Sequence, residues 1–207
     1  MDTKDIDRTE LERRLMWLLM AVWRQMSDSN CIEASFTLHG ALKELGVESK
    51  VQPVAAFTED RINGRNAFLG RAGYEYYRKK VAEGGHSLPD YVPVPYAPDF
   101  FVDGGHVVVL VPELEFLMDA TLDQIPDFPL QRIIGPADEL SHDEPATFGT
   151  DDAWVGYLLV DDVIDLKPEH RELIMGGGAE LARKGLQVDF SREAFTPGTE
   201  LFKRVVD

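Results

Sequence analysis

The chain predicts an α+β domain. Helical periodicity clusters early, the strongest β-rich runs fall later as an antiparallel hairpin and a further strand, and 207 residues with 44% apolar content suffice for one core. A single domain over 1–207 is expected, with a core at about 25–125 and a C-terminal strand and helix elaboration at 126–207.

The first element spans Asp7 to Met26, where Asp7 or Thr9 caps a run free of proline and glycine. A polar break from Ser27 to Asn30 precedes a second helix from Cys31 to about Leu45. In it Ala34, Leu38, Ala41, Leu42 and Leu45 recur at three- and four-residue steps, and Gly46 supplies the C-cap. "SKVQPVAAFTE" predicts a strand whose Pro53 marks an edge or a bulge. The pattern from Ala67 to Glu83 is again helical, and the proline- and aromatic-containing stretch Ser87 to Phe101 predicts an extended loop able to border a cleft.

"GHVVVLVPELEFLMDAT" is the clearest β signal: Val107 to Val111 and Leu114 to Met118 flank Pro112 and Glu113 as a hairpin with a four-residue loop, Val111 to Leu114. "DAWVGYLLVDD" predicts a strand over Ala153 to Val160. A helix follows from Pro168 to about Lys184, with Gly176 to Gly178 as an interruption. The last stretch, from Leu186, is ambiguous between helix and strand.

Composition limits the function classes. Acidic residues number 37 against 21 basic ones, a net charge of −16, which disfavours nucleic acid and anionic membranes as partners. The N-terminus is charged, and the apolar run "LMWLLMAVW" covers nine residues where a span needs roughly 20. One cysteine makes no internal disulfide. A cytoplasmic location is the expectation.

That cysteine stands where a helix begins. With Asn30 as N-cap, Cys31 is the first helical residue and Glu33 completes a capping box. Unsatisfied amides and the positive end of the helix dipole favour thiolate over thiol there. A thiolate nucleophile works with an imidazole oriented by a third group. If the hairpin is centred between Pro112 and Glu113, residues whose numbers sum to 225 stand opposite, which pairs His106 with Asp119 on one face. A one-residue slip would separate them onto opposite faces. The backbone amide of Cys31 offers one oxyanion donor, and Asn30 is a side-chain candidate for another. His39 reads as a packing or surface residue, and His86, His142 and His170 as solvated. No spacing matches a zinc motif, and "GGGAELARKG" lacks the ending of a phosphate loop. No metal and no cofactor is implied.

The order Cys31, His106, Asp119 and the local text resemble the transglutaminase-like branch of the papain-like cysteine superfamily. "CIEASFTLHGALKELGVESKV" is similar to the cysteine helix of that family with its leucine-glycine end and following strand. "GHVVVLV" is similar to its histidine strand, and "FLMDAT" to its aspartate strand with a nearby threonine. The resemblance covers about residues 25–124. It departs in Asn30 before the cysteine and in Val107 to Val109 after the histidine, which bear on subfamily and substrate.

The resemblance implies N-terminal helices packed on a mainly antiparallel sheet. It also implies cysteine-dependent acyl chemistry, either hydrolysis of an amide or ester or transfer of an acyl group to an amine. The substrate would be a peptide, a protein or a small amide or ester. Gln25 lies six residues before the cysteine, the spacing of the glutamine oxyanion donor in papain-like proteases. Two alternatives stand beside this reading: a catalytically inactive binding or scaffold module, and an arylamine N-acetyltransferase-like enzyme, whose arginine-glycine-glycine lead-in is absent here.

Overall fold

The computed structural model describes residues 8–26, 31–84, 91–92, 105–125, 128–138 and 140–185. The capping position Asp7, the Ser27–Asn30 break, His86, most of the Ser87–Phe101 loop and the segment from Leu186 lie outside the described residues.

Among the described residues the fold is α+β, with four α-helices around a curled, mainly antiparallel sheet. Helix α1 (Arg8–Gln25) and helix α2 (Cys31–Glu44) fall where their periodicity places them. Gly46 ends α2 in a Schellman motif: its amide donates to Lys43 O and the Val47 amide to Leu42 O, with Gly46 at φ 74°. Strand β1 (Lys50–Asp60) follows and is the spine of the sheet.

After β1 the chain departs from its sequence-based reading. Arg65–Leu69 is strand β2, paired with β1 from Asp60↔Arg65 to Ala56↔Leu69, and helix α3 is confined to Arg71–Gly84. Ala67 to Leu69 therefore belong to a strand, not to the start of a helix. Tyr91–Val92 form strand β3, a two-residue parallel addition to β2.

Strands β4 (His106–Val111) and β5 (Phe116–Asp119) make the expected hairpin, but two residues out of the expected register. Val109 faces Met118 and Val111 faces Phe116, so opposed numbers sum to 227, whereas the expected centre gives 225. The cause is the turn. Pro112–Leu114 wind into a 3₁₀ turn and Glu115 takes a left-handed conformation (φ 56°), so Leu114 and Glu115 leave the second strand. An even shift preserves the side-chain face.

Strands β6 (Ile133–Pro136), β7 (Ala146–Gly149) and β8 (Ala153–Leu159) complete the sheet. β1 holds β8 along one edge from Val54 to Asp60. On its other edge β4 and β2 sit end to end, covering Lys50–Val54 and Ala56–Asp60. At their junction Gly105 lies against the backbone of Leu69 and Gly70, where a Cβ would come within 2.2 Å of the Gly70 nitrogen. The path β6-β5-β4-β1-β8-β7 curls until Phe148 of β7 packs on Gly135 of β6, giving a nearly closed barrel. Pro53 stands where β1 pairs with β4 alone, since the β8 pairing begins at Val54, so it is tolerated at a local edge.

The inner face carries one core cluster, including Val54, Ala56, Val108, Leu117, Ile133, Val155 and Tyr157. The outer face carries two. Leu15, Leu18, Leu19 and Val22 of α1 and Ala34, Leu38 and Leu42 of α2 cover Val109, Val111 and Met118. Tyr76 and Tyr77 of α3 cover Phe57 and Phe68.

Helix α4 (Pro168–Gly185) runs through Gly176–Gly178 without the expected interruption. Gly178 has a physical reason to lack a side chain: a Cβ there would lie 1.9 Å from Thr37 O of α2, and one on Gly40 of α2 would lie 2.2 Å from Met175 O. The two helices cross backbone to backbone.

Candidate functional site

His106 opens β4 immediately after the Gly105 junction, and Asp119 closes β5. In the observed register Asp119 is diagonal to His106, not opposite it. Diagonal neighbours on one face lie within reach of long side chains, and the imidazole and carboxylate do meet: His106 Nε2 and Asp119 Oδ2 are 2.6 Å apart, both side chains fully buried. Val54, directly opposite His106 on β1, belongs to the inner cluster, so the pair faces the barrel interior at its β2–β4 junction.

Asp119 is held by more than the histidine. Its Oδ1 accepts from the Thr121 amide at 2.9 Å and the Thr121 hydroxyl at 3.2 Å. Its Oδ2 also accepts from the Tyr157 hydroxyl of β8 at 2.6 Å. The Tyr157 ring lies nearly parallel to the His106 ring, 18° between planes at 6.3 Å between centroids.

The electrostatics follow from burial and pairing. Burial works against charge on His106, but the Asp119 carboxylate overrides it by Coulombic attraction and hydrogen bonding, and Cys31 adds to the effect, so the imidazole pKa is raised to about 10. Burial likewise opposes ionisation of Asp119, and the charge on His106 with the hydrogen bonds of His106, Tyr157 and Thr121 hold its pKa below the ordinary value of 3.8. Burial first and then the Asp119 charge push the Tyr157 phenol well above 10, which keeps it protonated as a donor.

Cys31 is the first residue of α2, as its helix-start position predicts, and is 6% exposed. One turn further on, the Ser35 hydroxyl donates to the carbonyl of Val107 at 2.9 Å, which fastens the start of α2 to β4 beside His106. The thiol lies near enough to the ring to raise its proton affinity. His106 Nδ1 is buried and has no hydrogen-bond partner among the described residues. Nδ1 is the nitrogen left uncommitted once Nε2 binds Asp119.

The oxyanion candidates fare unequally. Gln25 ends α1 with an exposed side chain, and Asn30 lies outside the described residues. His39 bonds Ser49 through Nδ1 at 2.8 Å; burial foremost, with Lys43 and Arg171 nearby, lowers its pKa. His142 and His170 are exposed, His142 standing 3.8 Å from Asp161. Among the described residues, no three histidine, cysteine or acidic side chains gather as a metal site, and no helix is long and apolar enough to cross a membrane.

A groove of about 570 Å³ opens elsewhere, between Lys50–Pro53 of β1 and the segment after β8, with His39 and Arg171 on its walls. Cys31, His106 and Asp119 do not line it.

Two participants escaped the sequence reading. Ser35 carries no pattern of its own. Tyr157 is the single hydroxyl-bearing side chain in the run "AWVGYLLV", a polar tip in a buried strand, and that was the available signal. Thr121, noted beside Asp119 in the sequence, is a ligand of its carboxylate.

In comparisons with known proteins, no family model, no curated protein and no solved structure matches this chain.

Proposed function

We propose that the protein is a cysteine-dependent acyl-transfer enzyme or hydrolase with a papain-like, transglutaminase-like core. The observation that carries the reading is the buried His106–Asp119 hydrogen bond, which commits Nε2 and leaves Nδ1 as the uncommitted nitrogen of a ring that Cys31 is near enough to influence. A thiol, an imidazole and an orienting carboxylate in this order are the parts that nucleophilic acyl chemistry requires.

In the proposed cycle the Cys31 thiol has already given its proton to His106 Nδ1 before substrate binds, the imidazolium form that a pKa of about 10 favours. The sulfur attacks an amide or ester carbonyl. The resulting oxyanion is met by amides at the start of α2, where the first turn of a helix leaves donors without intrahelical partners. Collapse breaks the bond to the leaving amine or alcohol, which receives the proton from Nδ1 and leaves an acyl thioester on Cys31. Water or an amine, deprotonated by Nδ1, then releases the acyl group and restores the thiolate. Asp119 stays ionised throughout and orients the ring.

One observation favours a second reading. Cys31 is only 6% exposed and His106 fully buried, which suits a binding module that keeps the fold without turning over substrate.

Incubation with p-nitrophenyl acetate separates the two. The enzyme reading expects p-nitrophenol release with an acetyl adduct on Cys31, and neither in Cys31→Ala. Folded wild-type protein that never acquires the adduct sinks this reading and leaves the binding module.

A further inference from the structure

The site holds a group that the proposed cycle does not use. Tyr157 comes from β8, on the far side of β1 from His106, yet its hydroxyl reaches the same carboxylate oxygen that His106 does, at the same 2.6 Å.

A carboxylate has two oxygens and about four lone-pair positions. On Asp119 all four are taken: the Thr121 amide and hydroxyl on Oδ1, His106 Nε2 and the Tyr157 hydroxyl on Oδ2. With both lone pairs of Oδ2 filled by donors, a proton has no place on Asp119. Nε2 must then carry the hydrogen, because its lone pair would face an acceptor-only oxygen. Without Tyr157, one position on Oδ2 opens and the negative charge concentrates on the bond to His106.

We infer that Tyr157 is a positioning residue of this site: its hydroxyl fills the last acceptor position on Asp119, fixing the ionised carboxylate and the Nε2–H bond of His106 and reserving Nδ1 for proton exchange with Cys31. The inference deepens the acyl-chemistry reading and rests on it for its catalytic meaning, while its structural content stands on the four hydrogen bonds. Among the described residues, the groups facing the ring are Asp119 of β5, Tyr157 of β8 and Cys31 of α2, and β1 presents Val54 opposite it. Tyr157 itself is steadied by Phe148 of β7, 5.7 Å between ring centroids.

The sign of the effect is determined. A donor on Oδ2 weakens that oxygen as a partner for imidazolium, and the positive end of the O–H dipole opposes charge on the nearby ring. Removing it strengthens the pairing, while Thr121 continues to hold Oδ1.

The test is the titration of His106 in the full chain, followed by NMR of ¹⁵N-labelled histidine and assigned by loss of the signal in His106→Gln. Tyr157→Phe keeps the ring and removes the hydroxyl. Its His106 midpoint should rise by about half a pH unit or more, the scale on which one hydrogen bond moves a titration. Site-specific 3-fluorotyrosine at 157, a stronger donor that preserves packing, should lower the midpoint and carries the test alone if Tyr157→Phe does not fold. An unmoved midpoint in both variants, or a fall in Tyr157→Phe, overturns the inference.

Alkylation of Cys31 in the same samples reports on the catalytic reading separately. A shifted midpoint with an inert thiol keeps Tyr157 in its role and removes the acyl chemistry. A reactive thiol with an unmoved midpoint does the reverse.

Discussion

The two sides of the β4–β5 hairpin are built on opposite principles. Outward, Val109, Val111 and Met118 meet α1 and α2, and the crossing of α2 with α4 over them depends on side chains that are missing, Gly40 and Gly178. Inward, His106 and Asp119 sit at full burial with Tyr157, and everything depends on partners that are present. The outer side is specified by volume and the inner side by hydrogen-bond completeness. Change should therefore be punished for different reasons on each.

The inner side should break hardest. Asp119→Ala leaves a buried imidazole and a buried phenol without their acceptor, and removing one member of such a pair costs about 3–5 kcal/mol. Urea unfolding against pH tests the cause as well as the size. Asp119 is held below its ordinary 3.8, so its contribution is present above that value and lost as pH falls below it. His106 is raised to about 10, so its contribution is complete below 6.5 and lost as pH climbs through the folded value. The gap between wild type and Asp119→Ala should be widest between pH 3.8 and 6.5 and narrow on either side. A gap that does not change with pH would assign the loss to packing alone.

The outer side should break by crowding. Gly178→Ala places a methyl 1.9 Å from Thr37 O, and overpacking of this kind costs about 1–3 kcal/mol. Gly176 and Gly177 lie in the same helix with nothing within 4 Å of a built Cβ. Alanine at either should stabilise by up to about 1 kcal/mol through helix propensity. Thermal melts of the three variants sharpen the contrast, and equal effects at all three would mean that the crossing is looser than described.

The same division explains what the sequence made legible. The helix around Leu38 and Leu42, the strand around Val54 and the hairpin around Val109 each carry their own period over enough residues to be read. β2, β6 and β7 are four or five residues long and owe their existence to partners far along the chain. Of these, β2 alone had a local signal, the Asn63-Gly64 turn with strand-forming residues on both sides.

Within the site, His106 and Asp119 were legible because side-chain parity survives a two-residue error in register, which the Pro112 turn introduced. Tyr157 was not, because its meaning lies in an oxygen 38 residues away. Gly178 was misread for a like reason: a glycine in a helix looks like a break until the backbone that needs its space is known.

The central claim is that His106, held by Asp119, activates Cys31. Since the chain has one cysteine, iodoacetamide alkylation reads that site alone. The account predicts that the folded protein is alkylated below pH 8, and that His106→Gln slows the reaction there by tenfold or more, about 1.4 kcal/mol. A thiol that stays inert in the folded protein, or that reacts with the same rate and pH profile in His106→Gln, would contradict it.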